Sequence, residues 1–280
     1  MHQHLIRSMA LAAIVSIALV DAKAVADTLY PDWSGAWARV RGDKYGKWDP
    51  SKPRGLGQEA PLTPEYQALY EASLADQDHG GQGANPGYRC QPHGMPRIMN
   101  ANHPLVFAIT PEITYIFRDI GDQSRHIYTD GRDWPANLRH TANGYSIGKW
   151  LAEDGNGRYD TLEIETRGLK NPHSYDSSGI PFHKDDAAVI KERLSIDKGN
   201  PEFMRNEVTA IDNALTRPWT VVLGYRHVRD PKWVEYVCTE DNHHAILGKE
   251  DYLVSGDGFL MPTRKDQNPP DLRYFQPPNN

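Results

Sequence analysis

Glu192 is the position most suggestive of chemistry. In the stretch 188–197, alternation places Ile190, Glu192, Leu194 and Ile196 on one face and Val189, Lys191, Arg193 and Ser195 on the other. A carboxylate on an apolar face must be paired, hydrogen-bonded or protonated, so Glu192 is either half of a buried ion pair or a proton-transfer group with a raised pKa. Glu235, between Trp233 and Val237, carries the same pair of readings. A second concentration is Arg125-His126-Ile127-Tyr128-Thr129-Asp130-Gly131-Arg132, where period two gathers His126, Tyr128 and Asp130 on one face of a strand running into an Asp-Gly turn. Lining a pocket mouth, that face would offer Tyr128 as proton donor and Arg132 as anion anchor; facing water, Asp130 would cap the turn.

Other patterns are weaker. Gly144-Tyr145-Ser146-Ile147-Gly148 has the G-x-S-x-G spacing of a nucleophile elbow, which needs a helix to follow. Here Gly155 and Gly157 interrupt the next segment and strand-like sequence resumes at Tyr159, so a strand bending at a barrel corner is the expectation. The chain has 12 histidines, but no H-x-x-x-H, H-E-x-x-H or C-x-x-C spacing, and adjacent His243 and His244 cannot face one site on a strand. No metal and no cofactor is expected, and Gly81-Gln82-Gly83 lacks the third glycine of a dinucleotide loop.

These residues need elements to hold them. From Leu105 the chain breaks into short β-rich runs separated by Asp, Gly, Asn and Pro, and the spacing predicts nine strands: 105–109, 113–119, 125–129, 144–151, 160–167, 187–197, 203–211, 219–228 and 233–239. Short turns make sequence neighbours spatial neighbours, which favours an up-and-down meander. Closing it into a lipocalin-like all-β barrel over 105–255 removes both exposed edges and leaves a ligand-sized interior. Ahead of it, 27–104 reads as an irregular arm containing Trp33, Trp37 and Trp48. The arm carries one helix, opened by Thr63 and Pro64, with an apolar stripe of Tyr66, Leu69, Tyr70 and Leu74. The Pro-rich stretch 256–280 reads as an extended strap.

Composition sets the outer bounds. Of 280 residues, 39% are apolar and 24% charged, an ordinary globular balance, and 31 Lys plus Arg against 37 Asp plus Glu give a net charge of -6 with no basic stripe for nucleic acid. The run Met9 to Val20 is too short for the ~20 residues of a spanning helix, so no integral membrane segment is expected. With Arg7 before it and Ala24-Val25-Ala26 after it, residues 1–26 read as a signal peptide, and the protein as periplasmic or secreted. In an oxidising compartment two cysteines alone, Cys90 and Cys238, are expected to pair, closing a loop worth about 4–5 kcal/mol in the chain-entropy model.

Taken together, Cys90-Gln91-Pro92-His93-Gly94-Met95-Pro96-Arg97, Arg125 with Ile127 to Arg132, Gly144 to Trp150, Glu192-Arg193, Arg217-Pro218-Trp219 and Glu235 to Glu240 resemble a large family of exported proteins common in proteobacteria and acidobacteria, over about residues 30 to 245. The resemblance implies export and a lipocalin-like barrel rather than a chemistry. Members have His where this chain has Tyr145, and His directly after the proline where this chain has Phe182 and then His183.

The expectation is therefore an exported barrel enzyme working without a redox cofactor on a small apolar or aromatic molecule, by acid/base proton transfer as a lyase, isomerase or hydrolase. His183 or Glu192 would be the base, Tyr128 the acid and Arg132 the anion anchor, with Tyr145, Trp150, His126 and Glu235 lining the substrate. The competing reading is a carrier of the same fold that binds a small hydrophobic ligand without turnover.

Overall fold

The computed structural model describes residues 29–40, 59–85, 87, 91–100, 103–118, 124–171, 174–232, 244–247, 249–254 and 259–268. The expected leader 1–26, Cys90, Cys238, Glu235 and the expected strand 233–239 lie outside the described residues.

Nine strands form a closed lipocalin-like barrel: β1 Ala36–Val40, β2 Leu105–Ile109, β3 Ile113–Arg118, β4 Ser124–Tyr128, β5 Tyr145–Leu151, β6 Thr161–Arg167, β7 Val189–Asp197, β8 Asn200–Ile211 and β9 Trp219–Val228. Seven of the expected segments from 105 onward match these strands to within two residues at their ends. The eighth, 203–211, begins earlier, at Asn200, because Asp197 and Asn200 pair across a tight turn.

Three features differ from the sequence reading. The ninth barrel strand is β1, inside the arm expected to be irregular, and it closes the barrel by pairing with β9 on one side and β2 on the other. Its alternation is hard to see in five residues, and Ala36 and Trp37 are both buried because the chain before it folds over the barrel end. The sheet is also not a pure meander. β4 and β5 run parallel, paired only at Ile127↔Ser146 and Tyr128↔Ile147, so 129–144 crosses from the far end of one strand to the near end of the next. Finally, β10 His244–Leu247, β11 Glu250–Val254 and β12 Leu260–Pro262 form a separate three-stranded sheet, so the expected strap contains a strand and the barrel does not extend to residue 255.

Helix α1, Pro64–Asp78, starts where Thr63 and Pro64 place it. It buries the narrow stripe Tyr66, Tyr70 and Ser73, while Leu69 is turned to solvent at 53% exposure. The helix is pinned at its start by the Leu62↔Leu215 bridge and by Thr63 N–H donating to the Ala214 carbonyl at 2.8 Å, which ties it to the β8–β9 turn. Among the described residues no helix is long and apolar enough to cross a membrane.

The barrel is filled by side chains. At the end where β5 finishes, Trp33, Trp150, Tyr30 and Phe107 pack as an aromatic plug, with Trp33 and Trp150 rings 4.9 Å apart. Alongside the other half, a 3-10 turn at Arg97–Asn100 buries Ile98 and Met99, and the Met99 carbonyl accepts a 2.8 Å bond from the buried Tyr225 hydroxyl. Gly148 is required by this packing, since a Cβ there would stand 2.6 Å from Ile127 Cγ2 and 3.2 Å from Leu162 Cδ1.

Candidate active site

Glu192 is inside, as alternation required, and it is an ion-pair partner. Its Oε2 faces Arg125 Nη2, and its Oε1 accepts from Asn206 Nδ2 at 2.9 Å. Arg125 Nη2 also donates to Thr166 Oγ1 at 3.0 Å, and Thr166 in turn bonds Ser146 Oγ at 2.8 Å. All five residues are at most 4% exposed. With both carboxylate oxygens engaged and its side chain fully buried, Glu192 has the surroundings of the structural alternative. Ser146 sits in the same network, on a strand followed by a strand, so the G-x-S-x-G pattern is no elbow.

The Tyr128 cluster faces outward. Because Arg125 and Ile127 are buried, His126 and Tyr128 lie on the outer wall, where His126 meets Tyr115 edge-on at 5.1 Å and bonds Ser124 Oγ at 3.2 Å. Tyr128 stacks on Tyr145 at 4.9 Å, Arg132 lies 3.8 Å over the Tyr128 ring, Trp134 meets Tyr145 at 6.0 Å and Arg167 lies 4.4 Å over Trp134. Arg132 is held by Asp130 through its Nε at 2.9 Å and Nη2 at 2.6 Å, and that pairing keeps the Asp130 carboxyl below the usual range. This face is solvated, with Asp130 capping the turn through Arg132 N–H. Nearby, the outer faces of β5 to β8 form a depression of about 480 Å³ whose walls include Lys149, Glu163, Lys191 and Arg193. Trp150, expected to touch substrate, is core at the aromatic end of the barrel.

The expected site is therefore divided between interior, outer wall and ends. Glu192 and Tyr128 are on opposite sides of the sheet and cannot meet in one pocket.

His183 stands at the opposite mouth from Trp150, in the 168–188 connection that leads into β7. Its Nδ1 lies 2.9 Å from Asp185 Oδ2, and its ring is 5.2 Å from the Tyr66 ring of α1. Asp185 is fixed in turn by Asn213 Nδ2 at 2.5 Å and Ala187 N–H at 3.1 Å. Burial works to raise the Asp185 pKa, but hydrogen bonds from Asn213, Ala187 and His183 outweigh it and hold the carboxyl below the usual range. The His183 backbone N–H donates to Asp212 Oδ1 at 3.0 Å, and Ala214 N–H to the same oxygen at 2.8 Å. Here burial prevails, and the Asp212 pKa is raised despite those bonds, with Asp185 adding to the rise. Above them Tyr175 stacks on Phe182 at 3.9 Å and meets Trp219 edge-on at 5.4 Å; burial, then the Asp212 charge, push its phenol pKa up.

One histidine thus has an ionised carboxylate on its ring and a second, harder-to-ionise carboxyl on its backbone. Environments that drive two carboxyls in opposite directions are how folds assign separate acid and base roles. The sequence contained a signal for Asp185, two residues from His183, and none for Asp212 or Tyr175, which join the site only through the fold. Among the described residues no group of three or more His, Cys, Asp or Glu side chains is placed to hold a metal ion. No protein-family model matches the chain, and no curated protein matches it.

Proposed function

We propose that the protein is an exported enzyme that moves a proton on a small, largely apolar or aromatic molecule at one mouth of its barrel, with His183 as the base. The observation that carries this reading is the 2.9 Å contact between His183 Nδ1 and Asp185 Oδ2. Nδ1 faces both Asp185 Oδ2 at 2.9 Å and the Asp185 backbone N–H at 3.3 Å. The shorter, charge-assisted contact favours Nδ1–H donated to the carboxylate, which leaves the lone pair on Nε2 and lets the same carboxylate stabilise the imidazolium formed on taking a proton. Lyase, isomerase and hydrolase reactions share that step. A closed barrel is an architecture suited to small-molecule binding, and the leader-like residues 1–26 support export.

The test is turnover of a panel of small aromatic esters, epoxides and carbon acids followed by proton NMR in D2O. His183→Gln should abolish turnover or solvent-proton incorporation, and Asp185→Asn should reduce it and shift the acidic limb of its pH profile, both with unchanged melting. Turnover that survives His183→Gln would remove the base; binding with no turnover of any panel member would favour the carrier.

A further inference from the structure

Three buried polar atoms around the His183 mouth have no hydrogen-bond partner among the described residues: Tyr175 OH, Trp219 Nε1 and Asp212 Oδ2. Tyr175 and Trp219 are 4% and 5% exposed. They come from three separate places, the hairpin 174–182, the first residue of β9 and the residue following β8, and Tyr175 neighbours both of the others. A buried polar group without a partner is unusual, and three at one mouth call for a common explanation.

Their chemistry is complementary to one functional group. The indole N–H only donates, the carboxylate oxygen accepts, and the phenol does either. A hydroxyl matches them, since it can give its hydrogen to Asp212 Oδ2 while its lone pairs accept from Trp219 and Tyr175. The surrounding walls are the Phe182, Tyr175 and Trp219 rings, which suit an aromatic body. We propose that this mouth binds the hydroxyl of a small hydroxylated aromatic molecule between Tyr175, Trp219 and Asp212. As the substrate class for His183 this rests on the acid/base reading above; as a binding site it stands without it.

The 174–182 hairpin, which carries Tyr175, is closed by Tyr175 N–H to the Ile180 carbonyl at 3.0 Å. α1 latches it through Tyr70 OH to Ser178 Oγ at 2.8 Å and Gln77 Nε2 to the Ser178 carbonyl at 2.9 Å. Lifting this latch would uncover Tyr175, so Tyr70→Phe should speed association.

The experiment compares phenol with toluene, of the same shape without the hydroxyl, by calorimetry and ligand-observed NMR on the full-length mature protein. Phenol should bind at least about tenfold tighter, since a site built to hydrogen-bond a hydroxyl rejects the analogue that lacks one. Tyr175→Phe, which removes one oxygen and keeps the ring, should cut that preference about threefold to tenfold, and Trp219→Phe should do the same. His183→Gln should leave phenol affinity unchanged while removing turnover, so failure of the acid/base reading and failure of this one are told apart. Equal affinity for phenol and toluene, no binding of either, or a preference untouched in both variants would overturn the proposal. So would a phenol-soaked crystal with only a water between the three atoms.

Discussion

Replacing Glu192 by Gln separates a structural ion pair from a proton-transfer group. The amide keeps the shape and can still accept one hydrogen bond, but it leaves Arg125, 1% exposed and bonded to Glu192, Thr166 and Ser146, without a countercharge. Breaking one side of a buried pair costs about 3–5 kcal/mol. At about 2–4 °C per kcal/mol for a chain of this size, the melting temperature should fall by about 6–20 °C. The assay is urea and thermal denaturation at pH 7, run as a double-mutant cycle with Arg125→Met. Removing both charges should recover much of the loss, because a buried pair replaced by apolar side chains is often near neutral. A Glu192→Gln protein that melts with the wild type would refute the reasoning, and one that is stable yet inactive would return Glu192 to the list of bases.

His93 is mostly buried beside Arg97, Arg118 and His103, and burial first, then those neighbours, lower its pKa to about 4. Because the unfolded chain takes up that proton near pH 6.5 and the folded one only near 4, stability should fall by about 2 kcal/mol as pH drops through that window, after allowing for partial exposure. His93→Gln should flatten this part of the stability-versus-pH curve, and an unchanged curve would assign the acid sensitivity elsewhere. For Cys90 and Cys238, if the chain is exported as proposed, mass spectrometry of the native protein should find a mass two units below the dithiol form and no alkylatable thiol until reduction; two free thiols in the native protein would end the expectation.

The sequence made the strands legible because eight runs of 5 to 12 residues from Leu105 to Val228 carry their own period and turn signals. Glu192 was legible for the same reason, since three apolar neighbours at spacing two declare its face. What alternation cannot declare is which face is inward when both are polar. In β4 the face bearing His126 and Tyr128 looked like the pocket side, yet Arg125 and Ile127 face in, because Glu192 across the interior needs a cation. An arginine reads as solvent-facing until its countercharge is located, and that partner is 67 residues away. Asp212 escaped for a related reason: its contact with His183 spans 29 residues and is made to a backbone N–H, which leaves no mark on side-chain spacing.

Those same long-range contacts explain why residues that look catalytic in the sequence gather where they do. The parallel β4–β5 seam, with only two register pairs, has the fewest ladder contacts of the pairs joining β2 through β9. Both sides of the sheet carry side-chain ties across it. Inside, Arg125 on β4 reaches Ser146 on β5, Thr166 on β6 and Glu192 on β7, lacing four strands through one guanidinium. Outside, Tyr128 on β4 stacks on Tyr145 on β5, with Arg132 and Trp134 of the crossover laid against the stack. Such a seam would otherwise be where water and strand slippage enter a closed barrel, so polar and aromatic side chains concentrate there for closure. His183, Asp185 and Asp212 are not part of that seam. They lie at a mouth, on connections rather than strands, where a rigid barrel can present side chains to a ligand without giving up a ladder bond.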